Sequence, residues 1–210
     1  MKSEAEHVRL NEAKWDGWSH RLDGDGWRYR YLRRMQAGLI SLLDVREGVN
    51  FLDIGCGTGW AVGQVGKLVG DNGLFFGIDI SSVMIEKAKE SFTGRANFHF
   101  IKANVESIPL EDNFFDIIIC TNSFHHYLNP DNALREMHRL LKNTGKVYVL
   151  DPTADKWIVK VAGKIIGMLE PAHVKLYSTK EFQSLFAGAG LKYAATRMVD
   201  GHQIVHVGER

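Results

Sequence analysis

Phe51-Leu52-Asp53-Ile54-Gly55-Cys56-Gly57-Thr58-Gly59 decides the reading of this chain, because a short apolar strand runs directly into three alternating glycines. Glycine adopts positive φ and has no Cβ, so Gly55, Gly57 and Gly59 let the backbone bend against a ligand. A helix opening near Gly59 turns its unpaired N–H groups toward any anion that lies there. A second apolar run, Leu74 to Ile80, carries Asp79, twenty residues beyond Gly59. At the tip of the second strand of a βαβ unit, such a carboxylate accepts hydrogen bonds from both hydroxyls of a ribose. The dinucleotide fingerprint places a glycine or alanine three residues after its second glycine. Counted from Gly57 that position is Trp60, and from Gly59 it is Val62. With Asp53 two residues before the first glycine, the pattern argues against a nicotinamide cofactor.

Outward from this turn, strands and helices alternate as they do in a parallel sheet covered on both faces. The strands expected are Asn50 to Ile54, Leu74 to Asp79, Phe98 to Lys102, Phe115 to Cys120 and Lys146 to Leu150. Ala61, Val62, Val65, Leu68 and Val69 form one helical stripe between them. Ser81 or Ser82 caps the next helix, which runs toward Phe92 and stops near Gly94. Pro130 suits the first turn of another, whose buried face is Ala133, Leu134, Met137, Leu140 and Leu141 and whose end precedes Gly145. The tail reads as a helix from Thr179 to Ala187 and two β-rich runs around Asp200-Gly201, an antiparallel closing pair.

The chain has 210 residues, 45% of them hydrophobic, enough for one sizeable core and too few for two. A single domain over residues 1–210 is therefore expected. Formal net charge is +1 with acids and bases interspersed, which gives no global field toward nucleic acid or anionic lipid. The two cysteines, Cys56 and Cys120, have no metal or redox spacing, and the first ten residues are polar. No run of roughly 18 apolar residues occurs. The expectation is a cytoplasmic protein with no cleaved signal and no membrane span.

The ordered set of motifs resembles the class I S-adenosylmethionine-dependent methyltransferases, of the small-molecule type. Phe51 to Gly59 is similar to their motif I and Asp79 to the acid after their second strand. The stretch from Ile101 to Leu110 is similar to the segment packed on the adenine, and Phe114 to His126 to the fourth strand and its loop. Gly145 to Asp151 looks like the fifth strand, and Phe186-Ala187-Gly188-Ala189-Gly190-Leu191 like the turn into the last hairpin. The resemblance implies an α/β fold with a Rossmann-like seven-stranded sheet, mostly parallel with an antiparallel C-terminal hairpin, and helices on both faces. It divides the domain into an N-terminal helical lid (1–45), a cofactor-binding core (46–151), an acceptor-site cap (152–178) and a closing helix with hairpin (179–210).

It also implies S-adenosyl-L-methionine as cofactor, held by Asp53, Gly55, Cys56, Gly57, Thr58, Gly59, Asp79, Ile80, Met84, Asn104, Val105, Glu106, Thr121 and Asn122. A buried acid such as Asp53 is costly without a partner, and the cofactor's ammonium group, direct or through water, is the one expected. Asn104 stands where many relatives have an aspartate that accepts from the adenine amino group, a bond the amide oxygen also accepts. Val105 lies against the purine. Ile80 and Met84 either cover its other face or pack as ordinary core. Thr121 and Asn122 reach the methionine half. The loop lacks the Asn/Asp-Pro-Pro-aromatic run of DNA amino-methyltransferases and the Pro-Cys of cytosine C5 enzymes, and no acidic cluster calls for a metal.

No catalytic residue is assigned. His125 and His126, adjacent on extended chain, would point to opposite sides, a poor metal pair. Either serves as a base or as a structural hydrogen-bonding group. His173 and Tyr177 are candidate acceptor contacts. Trp15 to Asp23 resembles the lid of small-molecule methyltransferases, with Leu22 where a tyrosine is common. Trp27 to Arg34 interleaves aromatics and cations, as RNA-gripping segments do. The stripe Leu32, Met35, Leu39, Leu42 and Leu43 instead makes it an amphipathic helix with its arginines solvated. Asp155 to Glu170, apolar except for Lys156, Lys160 and Lys164, reads as a helix buried on more than one side. It roofs an apolar acceptor, packs on the sheet, meets a second subunit in a homodimer, or rests on a membrane surface. The function expected is methyl transfer to a small, apolar organic acceptor. RNA or protein methylation, or a non-catalytic S-adenosylmethionine-binding regulator, are the alternatives.

Overall fold

Strands that are apolar on both faces have to be covered on both faces, and the central strands of this chain are of that kind. In the computed structural model, which describes residues 4–18, 26–169 and 174–210, they form the middle of a seven-stranded sheet. The strands are β1 (Asn50–Ile54), β2 (Leu74–Asp79), β3 (Phe98–Lys102), β4 (Phe115–Thr121), β5 (Leu141–Pro152), β6 (Lys192–Asp200) and β7 (Gln203–Glu209). Their order is β3-β2-β1-β4-β5-β7-β6. The first five pair in parallel, while β7 runs antiparallel between β5 and β6.

Alternation along β1 and β4 sorts side chains into two cores. Leu52, Ile118 and Cys120 face one, and Phe51, Ile117 and Ile119 face the other. The first core is closed by α5 (Pro130–Leu140) and α7 (Thr179–Gly188), the second by α2 (Trp27–Ile40), α3 (Trp60–Val69) and α4 (Ser82–Ser91). Ser81 is the cap of α4, accepting from the N–H of Met84 at 3.1 Å. Ser178 and Glu181 make a reciprocal capping box at the start of α7.

Two elements differ from the expectation, the α5–β5 junction and the apolar helix after β5. Leu141 belongs to β5 rather than to the preceding helix: α5 stops at Leu140, and Leu141 pairs with Phe115 across a register shift. β5 therefore starts before Gly145. Within the segment read as an N-terminal helical lid, α1 (Glu4–Trp18) lies ahead of the sheet and is tied to it by polar side chains. The apolar helix α6 (Trp157–Leu169) is not buried on several sides; Gly163 is its one buried residue among those described.

The α7 contact is the densest aromatic packing in the first core. Phe182 is fully buried, with ring centres 3.9 Å from His206, 5.0 Å from Phe124 and 5.7 Å from Tyr177. Burial pushes the His206 pKa down to about 4, so it packs as a neutral ring. Truncating Phe182→Ala should cost about 3–5 kcal/mol of unfolding free energy by urea denaturation; a loss below about 1 kcal/mol would mean that α7 is not integral to the core.

Candidate functional site

The carboxyl ends of β1, β2, β3 and β4 open on a cavity of about 230 Å³, where open α/β sheets place their ligands. Twelve of the fourteen residues expected to hold the cofactor line it. Gly55, Cys56, Gly57 and Thr58 come from the turn after β1, and Asp79, Ile80 and Met84 from the end of β2 and α4. Asn104, Val105 and Glu106 come from the segment after β3, and Thr121 and Asn122 from the end of β4. Asp53 and Gly59 are not on its surface. Asp53 lies beneath the turn with no exposure, and Gly59 packs under Phe100 as it starts α3.

The turn is hooked onto β2, since the N–H groups of Gly55 and Cys56 both donate to the Ile78 carbonyl at 2.9 Å. Gly55 has φ +77°, and a Cβ there would sit 2.6 Å from Ser123 Oγ. Gly57, at φ +53°, would place a Cβ in open space. The first needs glycine for both its conformation and its neighbour, while the second keeps the turn bare on the ligand side. Asp79 then braces the turn. Its Oδ2 accepts from Gly57 N–H and its Oδ1 from Ser81 N–H, both at 2.9 Å. Each oxygen retains capacity for a further donor.

The electrostatics favour a cationic ligand. Neither carboxyl oxygen of Asp53 has a hydrogen-bond partner, and burial together with the Asp79 charge pushes its pKa up to about 8. Asp79 is also raised by burial, against the opposing pull of the Ser81 and Gly57 N–H groups. Asn122 adds an orphaned donor: its backbone is left-handed at φ +52°, its Oδ1 accepts from Gln203 Nε2 at 2.9 Å, and its buried Nδ2 has no partner. An unpartnered buried acid, a second acid with spare acceptor capacity, an unpartnered amide donor and a bare glycine cradle fit a ligand bearing an ammonium, a sulfonium, a carboxylate and a ribose.

The remaining expected residues show structural duties as well. Asn104 Oδ1 accepts from Glu106 N–H at 3.1 Å, so its oxygen is already partly engaged. Glu106 accepts from Asn129 Nδ2 at 2.8 Å and holds the start of α5. Thr121 Oγ1 accepts from Gln36 Nε2 at 3.2 Å. His125 and His126 lie on a 3-10 turn (Phe124–His126), not on extended chain, so their rings sit side by side, 4.1 Å apart. His126 lines the cavity; His125 does not, and its Nδ1–H donates to the buried Asp151 carboxylate at 2.8 Å. Tyr177 is core, packed on Phe124 and Phe182, and His173 lies outside the described residues.

Sequence reasoning pointed to a lid at the N-terminus, Trp15 included, but did not pick out His7, Asn11, Arg33 or Gln36 as part of the cavity wall. His7, Asn11, Trp15 and Trp18 of α1 all line the cavity, as do Tyr29, Leu32, Arg33 and Gln36 of α2. Both sets recur at helical spacing, a usable signal that is polar and aromatic rather than apolar. α1 bridges the site: His7 Nε2 donates to the His126 carbonyl at 2.8 Å, and Asp16 accepts from Ser81 Oγ at 2.5 Å. Arg33 is thus not on a solvated face as expected. Its guanidinium lies 3.6 Å from the Tyr29 ring centre and turns inward, while Arg28, Arg30 and Arg34 are exposed. Among the described residues no α6 side chain lines the cavity, against the expectation of an acceptor roof there. Among the described residues no three His, Cys, Asp or Glu are grouped to hold a metal, and no helix is long and apolar enough to cross a membrane.

Known proteins share this arrangement. The family described as a methyltransferase domain matches residues 46–190. Over 110 residues the chain is 36% identical to the ubiquinone/menaquinone biosynthesis C-methyltransferase UbiE of Francisella tularensis subsp. holarctica, covering 51% of this chain and 44% of that protein. It is 31% identical over 160 residues to the uncharacterized methyltransferase YcgJ of Bacillus subtilis, covering 74% and 62%. The chain thus spans about half the length of the UbiE relatives it matches. A SAM-dependent methyltransferase from Aquifex aeolicus superposes with a TM-score of 0.72 at 22% identity, over 92% of this chain and 97% of that one. A chain of the complex between the Haloferax volcanii Trm112 methyltransferase activator and the putative methyltransferase gives 0.81 at 18% identity, over 96% of each. At these identities the two structures speak to the fold. Taken with the family match, the strand order and the braced glycine turn, they place this chain in the methyltransferase domain family, as a class I S-adenosylmethionine-dependent methyltransferase.

Proposed function

We propose that the chain methylates a small, apolar organic acceptor bound between α1, α2 and the turn after β4. The observation that carries this reading is the composition of the far wall of the cavity. Trp15, Trp18, Tyr29 and Trp60 face the same space as the residues expected to hold the cofactor. Aromatic walls favour an apolar ligand over a phosphate backbone. The similarity to the Francisella protein, a ubiquinone/menaquinone biosynthesis C-methyltransferase, supports a small acceptor as well.

In this reading Asp79 takes the ribose hydroxyls, and Asp53 answers the ammonium from below the turn through Gly55 and Gly57. Asn104, Val105 and Glu106 line the adenine, with Ile80 and Met84 over its other face. Thr58 and the backbone of Cys56 and Gly59 shape the turn, while Thr121 and Asn122 meet the methionine half. Bound there, S-adenosylmethionine supplies an electrophilic methyl group. The protein's own work is to align the acceptor and keep water out, which demands little acid–base chemistry from side chains. Residues 1–45 act as the lid of this arrangement.

Two outcomes test the cofactor assignments. Asp79→Ala should weaken S-adenosylmethionine binding by at least ~1 kcal/mol in calorimetry, because it removes charge-assisted hydrogen bonds; unchanged affinity would reject the ribose assignment. Asp53 predicts a pH signature. Its folded pKa of about 8 lies above its ordinary 3.8, so the protonated form favours the fold. Ligand-free stability should fall as pH rises from about 4 to about 8, and Asp53→Asn should flatten that slope. A cationic ligand should do the reverse, binding more tightly as pH approaches 8 and expelling a proton, read as a dependence of calorimetric heat on buffer ionisation.

The acceptor class is tested by incubating the protein with methyl-labelled cofactor and separated lipid, small-metabolite, RNA and protein fractions. Label should appear in the organic-extractable or small-molecule fraction. Label in RNA or protein, or in none, would overturn the reading.

A further inference from the structure

The apolar helix α6 is the element of this fold that the site does not use. It touches the body along one narrow stripe. Gly163 is buried against Leu176, where an added Cβ would lie 2.5 Å from Leu176 Cδ1, and Val159 and Gly167, one turn to either side, are half-buried. At 3.6 residues per turn the other positions sort cleanly around the helix. Trp157, Ile158, Val161, Ile165 and Met168 fill the half turned away from that stripe, with Ile166 on the flank between, and all six are exposed, Trp157 at 74% and Met168 at 86%. Lys160 and Lys164 stand between the stripe and the apolar half, also exposed, while Lys156, just before the helix, donates from Nζ to the Gly201 carbonyl of the closing hairpin. From Lys156 to Leu169 there is no acidic residue.

A patch of this kind on one helix needs a covering, and the charge pattern says which. Two copies of the chain packed through this face would bring lysine edges together with no carboxylate of either α6 to answer them. A bilayer rich in anionic phospholipid answers both features at once. Its acyl boundary accepts the apolar half, and its phosphates pair with ammonium groups carried on flexible stems at the helix edge. Trp157 stands at the helix start, a position suited to the headgroup region.

We propose that α6 is an in-plane membrane-surface helix that docks the enzyme on anionic phospholipid. The attachment is local, since the chain as a whole carries a formal charge of only +1. The segment after α6 meets the turn that borders the cavity, the N–H groups of Val174 and Lys175 donating to the His125 carbonyl at 3.0 and 3.3 Å. The inference concerns binding and stands apart from the identity of the acceptor.

The test is co-sedimentation of the full chain with vesicles of phosphatidylcholine alone and of phosphatidylcholine with about one third phosphatidylglycerol, together with sedimentation velocity in the absence of lipid. The wild type should bind the anionic vesicles, and added salt should weaken that binding. Both Ile158→Gln/Ile165→Gln and Lys160→Gln/Lys164→Gln should lower the bound fraction at least about tenfold. Because these side chains are exposed, circular dichroism and cofactor affinity should stay at wild-type values in both variants. Failure of the wild type to bind, or equal binding by wild type and variants, would overturn the proposal. So would a dimer that the isoleucine variant dissolves in a protein that ignores vesicles, which would assign the face to a second copy.

Discussion

The hydrogen bond from Gly57 N–H to Asp79 holds this site together, because it locks the loop after one strand to the tip of the next. Parallel strands end at the same edge of a sheet, and their loops would otherwise move independently. Here a carboxylate on β2 takes one N–H from the β1 turn and another from the cap of α4. Ser81, which donates that second N–H, also caps α4 and binds Asp16 of α1. Turn, helix cap and N-terminal helix are therefore referenced to one side chain. The cost is a charge in a half-buried position, relieved by the very N–H groups it organises.

Asp53 shows the other side of the same design. An acid on a strand covered on both faces gains nothing for the fold, and its carboxyl oxygens have no protein partner. The neighbouring Asp79 charge makes its charged form worse still. Stability would improve with asparagine or an apolar residue at this position. An arrangement that is costly to the empty protein and relaxed by a cation belongs to binding rather than to folding. The same holds for the unpartnered Nδ2 of Asn122, held in a left-handed conformation at the opposite rim.

What the amino-acid sequence discloses follows from where its signals are apolar. Strands β1 to β3 read to the residue because unbroken apolar runs end abruptly in Gly, Asp or Lys. β5 did not: Leu141 continues the stripe of α5, so periodicity carried the helix one residue too far, and the strand begins across the irregular pairing near Gly145. The cofactor side of the cavity was legible through glycine spacing and strand-tip acids. The opposite wall was legible only as a lid segment around Trp15; His7, Asn11 and Arg33 were not, because they form helical stripes of polar groups. Hydrophobic periodicity detects faces that meet a core, and these faces meet a ligand cavity instead.

α6 marks the limit of that logic from the other direction. Its apolar content suggested burial, yet apolar residues state only that water is unfavourable and leave the covering partner unnamed. The sheet's two faces are already covered by five other helices, and among the described residues α6 meets the body mainly at the strip where Gly163 packs on Leu176. The glycines at 163 and 167 fit this: they narrow the helix on the body side and leave the bulky residues on the other. A sequence selected to pack on its own sheet would place its isoleucines on the stripe occupied by Gly163. Placing them opposite, with lysines along one edge, directs the helix toward a surface outside the molecule.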